Sequence, residues 1–106
     1  MFARNVLTQL KWNMVSDYAK AFVEDVLPLL HRQNGFKEAI TYSSTVGLQA
    51  TLISLWDSKA DAEAYNTNIY PGVLKMLARF TEGTPQVESF DVVNLTYHKL
   101  PVAVPA

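Results

Sequence analysis

Apolar and polar residues alternate along FARNVLTQLKW, which is the period of a β-strand and predicts one over residues 2–11. Its faces would carry Ala3, Asn5, Leu7 and Gln9 on one side, and Arg4, Val6, Thr8 and Leu10 on the other. The spacing then changes. Val15, Ala19, Phe22, Val23, Val26, Leu27 and Leu30 recur at helical intervals, with Asn13 or Ser16 to cap the start and Asn34-Gly35 to stop the end. Pro28 lies inside this helix and removes the amide that would bond the Glu24 carbonyl, so a kink is expected there. FKEAITYSS and LQATLISLW are the next two strands, joined by STVG, a link short enough for a hairpin. Ser58, with Asp61 three residues on, has the capping-box spacing and opens a second helix. The apolar positions of that helix run from Ala64 and Tyr65 through Ile69, Val73, Leu74 and Leu77 to Phe80; Pro71 is expected to break it and Gly83 to end it. A last strand is predicted over residues 86–100, longer than its neighbours require, with PVAVPA as a tail.

The order β-α-β-β-α-β predicts an α+β, ferredoxin-like fold: a four-stranded antiparallel sheet with two helices on one face. It forms a single domain over residues 1–100, followed by a tail at 101–106. The third strand is apolar on both faces, with Leu48, Ala50, Leu52 and Trp56 on one and Thr51, Ile53 and Leu55 on the other, so both faces should be covered. A homodimer in which two sheets face each other is therefore expected, with a cavity between sheet and partner. Leu48, Ala50, Leu52, Ser54 and Trp56 share a face and would line that cavity, together with Tyr42, as an apolar lining suited to a small hydrophobic, flat molecule.

Composition narrows the class. The 106 residues are 49% hydrophobic and 18% charged, with a net charge of −1 and scattered lysines and arginines, so no basic stripe marks a nucleic-acid face. The absence of cysteine excludes thiolate chemistry. No apolar run reaches the roughly 20 residues of a membrane span. The N-terminus lacks the apolar core of a signal peptide, and the expected compartment is the cytoplasm. His31 and His98 have no carboxylate at ligand spacing, and neither a phosphate-binding glycine loop nor a nucleophile elbow is present, so no metal or other cofactor is expected.

Three residues stand out as candidates for chemistry. Trp56 is either a large apolar plug at the strand end or a wall that stacks on an aromatic substrate. Asn5, an amide in a half-buried strand, bonds either to neighbouring backbone or to a ligand oxygen. His98 either ends the last strand or acts as a general base near neutrality. His31 sits where the helix dipole favours a cation, Tyr65 and Tyr70 are expected to pack a helix on the sheet, and Arg79 either belongs to a solvated face or neutralises an anionic ligand.

The stretch GFKEAITYSSTVGLQATLISLWDSKADAEAY resembles the antibiotic biosynthesis monooxygenase family of dimeric α+β barrels. The likeness rests on the Gly35-Phe36 opening of the second strand, on Trp56-Asp57-Ser58 closing the third, and on the alanine-rich, acidic helix start that follows. It implies the barrel, the homodimer and, as activity, a cofactor-independent monooxygenase acting on a small hydrophobic aromatic. Members also include haem-degrading enzymes and stress-response proteins, so a non-catalytic small-molecule-binding barrel is the alternative implied, and haem degradation a third. In the polyketide oxygenases an Asn precedes the tryptophan by four residues, a Tyr follows it by six, and an Arg lies further along the helix. Here those places hold Leu52, Ala62 and Met76, and only Trp56 matches. The haem-degrading pattern finds Asn5 in the first strand, but Tyr65 and Lys75 where it needs Trp and the axial His.

Overall fold

The computed structural model describes residues 1–44, 46 and 48–95. Four antiparallel strands, β1 (Phe2–Leu10), β2 (Phe36–Ser43), β3 (Gln49–Trp56) and β4 (Thr81–Asp91), form one sheet in the order β2-β3-β1-β4. The helices α1 (Val15–Ala21), α2 (Leu27–His31), α3 (Lys59–Asn68) and α4 (Tyr70–Leu77) supply the other half of the core. This is the expected ferredoxin-like α+β arrangement.

The strand period decides which residues meet the helices. Phe2, Arg4, Val6, Thr8 and Leu10 of β1 are buried, as are Ala50, Leu52, Ser54 and Trp56 of β3. The apolar members of this set pack with Tyr18, Phe22, Val26, Leu30, Ala62, Tyr65, Val73 and Leu77 from the helical layer. Register ties the two strands together: Arg4 lies opposite Ser54, Val6 opposite Leu52 and Thr8 opposite Ala50. The alternate residues lie on the other face, where Asn5 stands between Ile53 and Glu88, and Ala3 between Leu55 and Phe90. That face carries Ile40 (55% exposed), Tyr42 (53%) and Phe90 (45%).

Local chemistry sets the element ends, not always where the sequence pattern puts them. Neither Asn13 nor Ser16 caps α1. Met14 holds the cap position with no side-chain bond, and Asn13 has φ 61°, a left-handed turn that asparagine tolerates. The kink expected at Pro28 takes the form of a π-helical turn, Phe22–Val26, between α1 and α2. That widened turn leaves Pro28 in the first turn of α2, where a missing N–H breaks no helical bond. Ser58 caps α3 as expected: its Oγ accepts from the Asp61 amide at 3.2 Å and donates to Asp61 Oδ2 at 3.0 Å. Gly35, at φ 78°, passes so close to Asp61 that a β-carbon there would collide with the carboxylate.

The second helix does break at Pro71, which lies in the first turn of α4, but Gly83 does not end it. A short 3₁₀ turn at Ala78–Phe80 does, and β4 begins at Thr81, five residues before the predicted start. Gly83 (φ 69°) and Pro85 lie in a bulge of β4, where Leu7 pairs with Gln86 but Gln9 pairs with Glu82. A proline has no N–H for the ladder, and the bulge spares it that role. β4 ends at Asp91 rather than near residue 100; the predicted residues 96–100 and the tail at 101–106 lie outside the described residues. No helix among the described residues is long and apolar enough to cross a membrane.

The Ser58 cap gives a direct check on this frame. Ser58→Ala should lower unfolding stability by about 1 kcal/mol, read as a shifted denaturation midpoint with an unchanged slope.

Candidate functional site

Between the sheet and its own helices lies an apolar cavity. Val6, Thr8 and Leu52 form its floor, Tyr18 and Phe22 one wall, Tyr65, Tyr70, Val73, Leu74 and Leu77 the roof, and Thr81 and Pro85 the end beside β4. The space between the atoms measures about 380 Å³, of which about 30 Å³ admits the centre of a water-sized sphere. A ring system therefore enters only if side chains at the rim move. The cavity lies on the helix side of the sheet, whereas the sequence pattern placed one between sheet and partner. The same-face rule for Ala50, Leu52, Ser54 and Trp56 holds, but that face is turned to the helices.

Aromatic side chains link the cavity to its surroundings. Trp56 is fully buried; its Nε1–H donates to Ser54 Oγ at 3.0 Å, and Ser54 Oγ donates to the Arg4 carbonyl at 3.4 Å. The indole meets Phe36 edge-on (centroids 5.5 Å apart) and Tyr65 at 5.2 Å, so it supports the cavity through the Tyr65 ring. Tyr65 in turn lies 6.2 Å from Tyr70. Neither tyrosine hydroxyl has a hydrogen-bond partner.

Beneath these rings sits Arg4, 2% exposed. Its Nη2 donates to Asn66 Oδ1 at 2.7 Å, and its Cζ lies 4.1 Å from the Tyr70 ring centroid and 5.3 Å from that of Tyr65. Its Nη1 has no partner. Burial lowers the guanidinium's pKa from its usual value, and the two tyrosines oppose that shift. Burial pushes the Tyr65 hydroxyl up to about 12, with Arg4 pulling the other way. Tyr70 and Tyr18 are also raised, chiefly by burial. At neutral pH all three phenols are therefore proton donors. Arg4 also lines a second cavity with Phe2, Lys59, Ala62, Glu63, Asn66, Val87 and Ser89, about 400 Å³ of space between atoms, of which about 130 Å³ admits the centre of a water-sized sphere.

The sequence-level candidates scatter around this centre. Leu52 lines the first cavity and Ala62 the second, while Ala50, Ser54 and Trp56 lie buried on the same sheet face. Asn5 is on the opposite face, away from both cavities. Tyr42 and Leu48 (44% exposed) are at the surface, as is Met76 (41%). His31 is exposed with its ring edge-on to Phe36, and the Arg79 guanidinium lies 4.6 Å from the Phe80 ring centroid. His98 lies outside the described residues. Arg4 and Asn66 are the residues that sequence reasoning missed, and Tyr65 and Tyr70 do more than pack. The available signal was that Arg4 shares its strand face with Val6 and Leu10, which a strand-helix core must bury.

No family model and no curated protein matches the sequence. Solved structures do match the fold. A monooxygenase from the ActVA-Orf6 gene of Streptomyces coelicolor, in complex with nanaomycin D, superposes with a TM-score of 0.74 at 14% identity, covering 99% of this chain and 92% of that one. An antibiotic biosynthesis monooxygenase gives 0.69 at 11%, covering 89% and 100%. A protein of unknown function from Nitrosomonas europaea gives 0.73 at 17%, covering 96% and 95%. The chain thus has the fold of the antibiotic biosynthesis monooxygenases.

The partnerless phenol yields a pH prediction. Burial pushes the Tyr65 phenol up to about 12 from its ordinary 10.0, so the folded state holds its proton longer than the unfolded chain does. Below pH 10 the phenol is protonated in both states and stability does not depend on it; as pH rises from 10 towards 12 the unfolded chain ionises first and stability falls, by about 2–3 kcal/mol in all. Tyr65→Phe should leave stability at pH 7 unchanged or raise it by about 1 kcal/mol, since the hydroxyl bonds to nothing. It should also flatten the loss between pH 10 and 12, followed by denaturant midpoints across that range.

Proposed function

We propose that the chain is a cofactor-independent monooxygenase whose substrate is a small, electron-rich aromatic bound in the cavity between sheet and helices. The observation that carries this reading is the pair of partnerless hydroxyls, Tyr65 and Tyr70, on the roof of an apolar, aromatic-walled cavity. Buried polar groups without partners are costly in a core, but they are useful where a ligand oxygen completes them.

The chemistry requires a substrate that supplies its own electrons, such as an anthrone. Loss of a proton from the ring methylene gives a stabilised carbanion. Transfer of one electron to dioxygen and recombination form a C–O bond and a hydroperoxide, and loss of water leaves a quinone carbonyl. The balance is CH₂ plus O₂ giving C=O plus H₂O; the methylene carbon is oxidised and dioxygen takes up the four electrons. Tyr65 and Tyr70, both protonated, donate to the oxygen on which negative charge develops. Trp56 keeps the Tyr65 ring in place, and in this reading His98 accepts the first proton.

A second reading, binding without turnover, is favoured by Leu52 and Ala62, apolar where the resemblance calls for Asn and Tyr. An aromatic that co-purifies with the chain, with no oxygen consumed, would select it. Under either reading the chain works as a homodimer, closed through the apolar sheet face that carries Ile40, Ile53, Leu55 and Phe90.

Two outcomes follow. Purified protein should consume one O₂ per anthrone and yield the quinone, and Tyr70→Phe should lower kcat about 10²-fold; silence across a panel of anthrones, quinols and hydroxylated aromatics defeats the oxygenase. In sedimentation velocity the chain should run as a dimer at micromolar concentration and Ile40→Glu as a monomer, because the charge would be buried unpaired in the interface.

A further inference from the structure

Arg4 is the one charged side chain buried among the described residues. A guanidinium keeps its proton inside a protein, so the core holds a fixed positive charge. Nothing among the described residues neutralises it. The single hydrogen bond it makes is to a neutral amide, and its face contacts are to neutral phenols. Glu63 lines the same cavity, but it is 64% exposed and its ion pair is with Lys59 at 3.8 Å. An unpaired buried charge is among the most costly features a core can carry, and cation–π contacts of about 2 kcal/mol offset only part of that.

The second cavity has the form of a recess for the missing anion. Arg4, Asn66, Lys59 and Ser89 bring polar groups to its lining, and Phe2 and Val87 supply apolar surface. Ala62 has a side chain small enough to leave the space open. The Asn66 bond to Arg4 uses only its carbonyl oxygen, so the amide N–H₂ remains a donor. The partnerless Nη1 is sealed from solvent and becomes a further charge-assisted donor once the Arg4 side chain turns towards the recess; a planar guanidinium matches a planar two-oxygen acceptor best. One buried cation balances one negative charge. A dianion would leave a second charge facing Glu63.

We propose that this recess is a carboxylate subsite on Arg4, and that the molecule taken by the neighbouring aromatic cavity is an aromatic acid. The second half rests on the cavity being the ligand site; the subsite itself does not. Arg4 bridges the two spaces, because the tyrosines it touches, Tyr65 and Tyr70, line the aromatic cavity. A ligand with a ring and a carboxylate would meet apolar surface and cation together.

The test is calorimetric titration at fixed ionic strength with benzoate and with its neutral isostere benzamide, under argon so that no turnover contributes. The wild-type chain should bind benzoate at least about 10-fold more tightly than benzamide, the scale of one charge-assisted bond. Arg4→Gln, checked for a cooperative melt, should bring that ratio to about one. Asn66→Ala, at an exposed position, should reduce the ratio several-fold by freeing Arg4 to turn, and it carries the test if Arg4→Gln does not fold. Equal binding of benzoate and benzamide, a preference that survives Arg4→Gln, or inorganic phosphate competing as well as benzoate would each overturn the subsite. A chain that prefers benzoate through Arg4 but consumes no oxygen keeps the subsite and loses the oxygenase.

Discussion

Burying a guanidinium obliges the layer above it to supply electron density, because the group cannot lose its proton and is almost entirely withdrawn from bulk water. In this chain that layer is the α3–α4 pair. Asn66 gives Arg4 a carbonyl oxygen, and Tyr65 and Tyr70 give it ring faces. An unbroken helix would not allow this: at 3.6 residues per turn, positions five apart point about 140° away from each other. The break at Ile69, fixed by Pro71 in the first turn of α4, resets the helical phase so that both tyrosines reach the same cation. The proline that looks like a mere interruption is what assembles the roof of the site.

Below the cation, the pairing of β1 with β3 does the equivalent work. Arg4 opposite Ser54 places the strand carbonyl where the serine hydroxyl reaches it, and the same hydroxyl accepts the Trp56 indole N–H. A one-residue slip would carry Arg4 to the open face and bring Asn5 under the helices. The burial of Phe2, Val6, Leu10, Leu52 and Trp56 opposes such a slip. Trp56 thus acts mainly through its neighbours: it is satisfied by Ser54, packed on Phe36, and it sets the ring of Tyr65.

Patterns that are local in the chain were legible in it. The strand faces, the Ser58–Asp61 cap, the break at Pro71 and the ferredoxin-like order all follow from spacing within a few residues. What failed depended on partners distant in the chain. Gly83 reads as a helix end and Gln86 as the start of the last strand, since only the pairing with β1 shows that Gly83 and Pro85 fit in a bulge. Asn5 and Arg4 are adjacent and both polar, and alternation alone does not say which face the helices will cover. Arg4 was the harder residue to credit because a lone arginine in a short strand is usually solvated. Its partners, Asn66 and Tyr70, come more than sixty residues later and face it only once the helix break is in place.

The electrostatics of the centre also bear on the kind of chemistry it favours. With Tyr18, Tyr65 and Tyr70 all shifted towards the protonated form, the described part of the cavity holds donors and a nearby cation but no anionic base. The cation and the phenol donors favour a bound anion, whether its charge sits on a carboxylate or on a ring carbanion, against the same burial that raises the tyrosines' own pKa values. For a substrate that reacts with dioxygen only after losing a proton, those donors would supply part of the activation, with His98 as the proposed acceptor of the proton. The arrangement also divides the labour between the two ends of the site. Arg4 holds a charge that is present from the start, while the tyrosine hydroxyls on the apolar side meet a charge that forms during the reaction. An interaction of the first kind improves binding, and only the second raises the rate. The residues that would make this chain an enzyme, rather than a carrier of aromatic acids, are therefore the tyrosines and not the arginine that anchors them.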